Sequence, residues 1–220
     1  MRRWLGWFAL AVIIGMQAGT VFKPLGSIGP TRTADWIDLL TPFAVLGCAA
    51  MVLQRAGADR GHWVLLGVGG IMFALGKGLH ISANSVSNVD DLGVANASIV
   101  HLWDEVVSHY VWYSGLFLVL VALALGLRRR EFRVGVLGIV VSLMFAITLV
   151  NTYIEGGTPW LGIGFLLTGL VAAFRWRPAP VAWLLLFTAG TGLVLLLSWG
   201  LYWYVDDGAV FPQFSELGWI

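Results

Sequence analysis

Apolar residues come in long runs along this chain, and the polar residues between them are few and clustered. Seven runs, about residues 4–22, 36–53, 63–81, 106–127, 134–153, 160–174 and 181–204, approach the length that a helix rising about 1.5 Å per residue needs to cross a hydrocarbon core about 30 Å thick. Lipid offers no partner to backbone N–H and C=O groups, so only helices or closed barrels span it, and uninterrupted runs of this length are not barrel strands. The pattern predicts an all-α polytopic membrane protein, a single bundle of seven transmembrane helices over residues 1–220. Two longer polar interruptions, about 23–35 (rich in Pro and Gly) and 82–100 (acidic at its centre), read as loops. Residues 206–220 read as a tail whose Phe211, Phe214 and Trp219 lie at the lipid interface.

Composition strengthens this reading. The chain is 59% hydrophobic and 11% charged, with a mean hydropathy of +0.84, whereas soluble domains are about 25% charged. The net charge of +1 conceals an asymmetry. Arg2, Arg3, Arg55, Arg60, Arg128, Arg129, Arg130, Arg133, Arg175 and Arg177 fall at alternate ends of the runs, all on one side, and are ten of the thirteen basic residues. The positive-inside rule makes that side cytoplasmic, with the N-terminus inside and the C-terminus outside. Arg2 and Arg3 before an apolar run resemble a signal peptide. The run continues to Phe22 without a small-x-small cleavage site, so it reads as a retained first helix. Compact loops and arginine-rich turns point to a bacterial cytoplasmic membrane. No segment suits nucleic acid, membrane lipid is the expected partner, and oligomeric state is not legible. The lone Cys48 lies mid-helix and has no second cysteine to pair with.

Candidate chemistry lies where polar groups enter the predicted helices, because ionisable residues there are costly and face the bundle interior. In the third run Lys77, His80 and Asn84 are spaced i, i+3, i+7 and share one face. The fourth opens HLWDEVVSHYVW. At about 100° per residue, His101, Asp104, Glu105, Ser108, His109 and Trp112 fall in one arc. The fifth ends with Asn151 and Glu155. The topology places all three ends on the outer side. Imidazoles and carboxylates from neighbouring helices are ligands of divalent metals such as zinc. His80, Glu105 and His109 are the expected ligands, with Asp104 or Glu155 as proton acceptor and Lys77, Ser82, Asn84, His101 and Asn151 in support. The competing structural reading makes Lys77 the counter-ion of Glu105 or Glu155 and gives the histidines ordinary hydrogen bonds. Asp35 and Asp38 are expected in water at the outer mouth. Gly67, Gly69, Gly70, Gly76 and Gly78 are expected to permit close helix packing. GVGGIMFALGKG lacks the GK[ST] of a phosphate loop.

The order G-x-G-L-H at 76–80, then Ser82 or Ser85, then W-D-E at 103–105, resembles the alkaline-ceramidase branch of the seven-helix CREST hydrolases. That resemblance implies a zinc held by histidines and the cleavage of lipid amide or related bonds. It maps His80 to a zinc ligand, Asp104 to the acid that orients water, and Ser82 or Ser85 to a polar partner. It covers about thirty residues, and the late histidine pair of that family is missing, since no histidine follows His109.

Three functions remain open: a metal-dependent hydrolase of lipid or amphipathic substrates, a transporter or channel with a titratable outer vestibule, and a non-catalytic membrane subunit or receptor. The topology is tested directly. A C-terminal alkaline phosphatase fusion is expected to be active and a C-terminal green fluorescent protein fusion dark; the opposite pattern overturns the N-inside, C-outside reading.

Overall fold

A computed structural model describes residues 1–29, 31–87, 93–206 and 208–219, without the side chains of Val94 and Ala95. It is helical apart from one two-residue hairpin, and it divides into two compact units, residues 3–123 and 124–220.

In the first unit α1 (Arg2–Met16) ends at Gln17 and is followed by the short α2 (Ala18–Val21) and a 3₁₀ turn, Lys23–Leu25. Strands β1 (Ser27–Ile28) and β2 (Thr31–Arg32) pair antiparallel, Ser27 opposite Arg32, around Gly29 at φ +61°. Then come α3 (Thr33–Asp38) and α4 (Thr41–Ala56), where Pro42 in the first turn is tolerated because it has no N–H to leave unpaired. Asp59 opens α5 (Arg60–Ser87): its Oδ1 accepts the backbone N–H groups of Gly61 at 2.9 Å and His62 at 3.3 Å. These bonds, His62's first, hold its carboxyl below the usual range. Last come α6 (Gly93–His101), a π-helical segment Leu102–Ser108, and α7 (His109–Leu127). The expected loop at 82–100 is therefore mostly helix. Its residues are polar but free of proline; the part of the expected loop at 88–92 lies outside the described residues.

The second unit holds α8 (Val136–Glu155), α9 (Pro159–Arg175), α10 (Pro180–Leu185), a π turn Leu186–Gly190 and α11 (Thr191–Asp206). Its tail folds back on the unit. Phe211 is 8% exposed with its ring against Gly200, Trp199 Nε1 donates to the Pro212 carbonyl at 3.1 Å, and Trp199 packs with Phe214 and Trp219.

All seven apolar runs are helical, but they are not equally long. Among the described residues five stretches are long and apolar enough to cross a membrane: Thr33–Ala56, Arg60–Ser87, Asn96–Leu127, Val136–Glu155 and Pro180–Asp206. The other two are α1, with 15 residues, and α9, with 17, against the roughly 20 a span usually needs. Burial has the polarity of a membrane protein. On α5 the outward positions Val64, Val68, Ile71 and Leu75 recur every three or four residues and are apolar, with Ile71 70% exposed, whereas Lys77 on the opposite face is 2% exposed. This is a multi-pass membrane protein.

Glycines set how closely α5 and α7 approach. A Cβ at Gly76 would lie 2.4 Å from the backbone nitrogen of Trp112, and one at Gly115 2.2 Å from that of Phe73, so the two helices touch backbone to backbone. Gly69 packs on the same crossing and Gly70 against Leu46, while Gly67 and Gly78 face open space and have no packing role of this kind. In thermal unfolding in detergent, Gly115→Ala is expected to destabilise by about 1–3 kcal/mol. Gly67→Ala is expected to be neutral or stabilising by up to about 1 kcal/mol. Equal effects at the two sites contradict the backbone crossing.

Candidate functional site

The crossing of α5 and α7 determines which polar side chains meet in the first unit. With Gly76 against the backbone of Trp112, Lys77 lies beneath the indole: its Nζ is 3.7 Å from the ring centroid. The ammonium is within 2.5 Å of Asp38 Oδ2, and the Thr41 hydroxyl donates to the other carboxylate oxygen at 2.9 Å. Asp38 is 7% exposed, and one turn earlier Asp35 is 6% exposed and paired with Arg32 at 2.9 Å. A buried charge needs both a counter-charge and hydrogen bonds to its remaining polar atoms, and Asp38 has both. The expectation that Asp35 and Asp38 are solvated is thus corrected, and so is the choice of Glu105 or Glu155 as counter-ion for Lys77. Asp38 lies 39 positions away on another helix. The one sequence signal was the i, i+3 acid pair at the start of the only described stretch that precedes α5 and is long enough to span.

One turn beyond Lys77, His80 meets the π-helical segment. Its Nδ1 is 2.7 Å from Asp104 Oδ1, although the ring N–H is not aligned with the oxygen. The π segment changes the expected arc. The wider turn of a helix with i→i+5 bonds brings residues five apart, as well as four apart, close to one face, so Asp104 joins the face of His109. Both are buried, as is Ser108, whose hydroxyl donates to the Asp104 carbonyl. Glu105 is swung partly outward, with about a third of its side chain exposed, and His101 and Trp103 are exposed. Spacing at about 100° per residue had placed all six side chains in one arc: of these, Asp104, Ser108, His109 and Trp112 are indeed buried together, Glu105 lies at their edge beside His109, and His101 alone is exposed.

His109 Nδ1 donates to the Glu105 carbonyl at 2.9 Å and is 3.6 Å from the Glu105 carboxylate. The His80 and His109 rings lie 5.0 Å apart, tilted by 38°, and both pack on Trp112 at 5.5 and 5.8 Å. His109 also stacks on Tyr113 at 5.3 Å. Trp112 is 4% exposed, and its Nε1–H has no hydrogen-bond partner among the described residues. His109 is nearly closed off, whereas 22% of the His80 side chain is exposed. His80 is the accessible member of the cluster.

Ser82 is exposed and Asn84 half-buried on the last turns of α5, and Ser85 donates to the Ile81 carbonyl at 2.8 Å. Asn151 and Glu155 belong to the second unit. There Asn151 is half-buried, and Glu155 accepts the Ser215 backbone N–H at 3.2 Å, tying α8 to the folded-back tail.

No known protein-family model, characterised protein or solved structure matches this chain. The site therefore stands on its own geometry. Among the described residues no group of three or more His, Cys, Asp or Glu is placed to hold a metal ion. Two imidazoles meet, but Asp104 occupies the Nδ1 side of His80 and a backbone carbonyl the Nδ1 of His109. This donor set does not fit the three-histidine zinc that the family resemblance implies. It does suit proton transfer, since a carboxylate beside one imidazole nitrogen leaves the other to exchange a proton.

Proposed function

We propose that this protein is a membrane-embedded acid–base hydrolase of lipid or other amphipathic substrates, working at the membrane face opposite its arginine-rich turns, the outer face in the N-inside reading. The reading includes seven crossings, with α1 and α9 as short spans met by local thinning of the bilayer. The observation that carries it is the His80–Asp104 contact of 2.7 Å, one partner buried and the other partly open.

In this mechanism the substrate's acyl chains stay in lipid while its ester or amide carbonyl reaches His80. The free nitrogen of His80 takes a proton from water as the water oxygen bonds to the carbonyl carbon. Asp104 holds the ring and balances the imidazolium, and the same proton then passes to the departing oxygen or nitrogen. The unpartnered Trp112 Nε1–H is a donor for the carbonyl oxygen as charge builds on it. His109 borders this space as a second, enclosed imidazole. Catalytic hydrogen bonds are commonly misaligned before substrate binds, which accords with the off-axis His80–Asp104 approach.

A transporter with a titratable vestibule is the second reading, and the ion pair inside a predicted span favours it. The two are separated by assaying purified protein in nanodiscs against ester- and amide-linked lipids, with mass spectrometry of products. Turnover is expected in the native protein. His80→Ala should abolish it, and Asp104→Asn should lower kcat by about 10²–10⁴-fold with little change in KM. Lack of product from every lipid class, together with pH-driven solute uptake in proteoliposomes, decides for the transporter. Metal bound one-to-one and lost in His80→Ala would overturn the metal-free mechanism.

A further inference from the structure

The second unit carries a cleft unrelated to the histidine cluster. It has a volume of about 780 Å³ and lies between the turn joining α7 to α8 and the turn joining α9 to α10. Arg128, Arg129, Arg130 and Arg133 line it against a single acid, Glu131, with Phe132 and Trp176 as apolar lining. Among the described residues none of these four guanidinium groups has a carboxylate partner. Next to the cleft, Arg177 is held over the rings of Phe174 and Trp183, at 5.0 and 5.2 Å. That turn is thereby fixed by cation–π contacts instead of by an anion.

Four unpaired guanidiniums on one short turn repel one another unless an anion lies among them, and a planar guanidinium fits a phosphate through two parallel hydrogen bonds. The lining adds a second requirement. Half-buried Phe132 and Trp176 stand beside the charges, with Trp176 at the end of α9, where tryptophan favours the headgroup level. A free phosphate has no use for that apolar wall, whereas a phospholipid has a phosphodiester for the arginines and a glycerol–acyl root for the aromatic rings. We propose that this cleft binds the headgroup of an anionic phospholipid from the leaflet on the arginine-rich side.

The test uses the whole protein in nanodiscs of phosphatidylcholine, with or without phosphatidylglycerol, read by thermal unfolding and by native mass spectrometry after release. Replacing arginines with neutral residues would disturb topology, so the variant is the fourfold Arg→Lys change at 128, 129, 130 and 133. It keeps the charge and loses the planar fork. Phosphatidylglycerol is expected to raise the unfolding temperature and remain bound on release, and the lysine variant to bind it about tenfold more weakly. Arg2→Lys with Arg3→Lys should leave binding unchanged. The proposal is overturned if both lipids act alike, which makes the arginines a solvated topology signal. It is also overturned if glycerol phosphate alone reproduces the shift, or if the lysine variant binds as the native chain does.

Discussion

An ammonium group inside a lipid-surrounded helix must meet a counter-charge or lose its proton, and Lys77 meets Asp38. The pair joins α5 to the junction between α3 and α4, and each partner is completed by a third group, Trp112 for the ammonium and Thr41 for the carboxylate. Removing either partner of a buried pair leaves an uncompensated charge, at a cost of about 3–5 kcal/mol. The other polar contacts of the first unit follow from this link. With Lys77 held beneath Trp112, α5 cannot rotate, and His80 one turn on is directed at Asp104 and His109.

Two backbone features make that placement possible. Gly76 and Gly115 let α5 and α7 touch without intervening side chains, which brings short-range contacts within reach of Lys77 and His80. The π turn at Leu102–Ser108 then widens the helix, so that Asp104 joins the face of His109 while Glu105 stays at its half-exposed edge. π turns recur at functional sites because they trade regular hydrogen bonding for the direction of one side chain. Here the chain accepts that irregularity on the helix opposite its only accessible buried-cluster histidine among the described residues.

The helices themselves were legible in the sequence, since a lipid solvent leaves so few alternatives for an apolar run. The polar face of α5 was legible as well, from the spacing of Lys77 and His80. The partners were not. Asp38 is far away in sequence, and its neighbours Asp35 and Arg32 suggested a wet loop until the hairpin and α3 folded them inward. The π turn has no period-3.6 signature, so regular spacing grouped the exposed His101 with residues it does not join. Span length was overestimated at α1, where the helix stops at Gln17 although the apolar run continues. The tail's packing on Gly200 and Trp199 was not legible, because neither residue can be read as a binding surface from sequence.

A double-mutant cycle at Lys77 and Asp38 tests the central claim most directly, by reversible unfolding in bicelles of Lys77→Met, Asp38→Asn and the combined variant. Each single change is expected to cost about 3–5 kcal/mol. The double variant should be more stable than the sum of the two losses predicts, by about 2 kcal/mol or more. Additive losses, or single changes within about 0.5 kcal/mol of the native chain, would contradict the view that this ion pair holds the first unit's polar site in place.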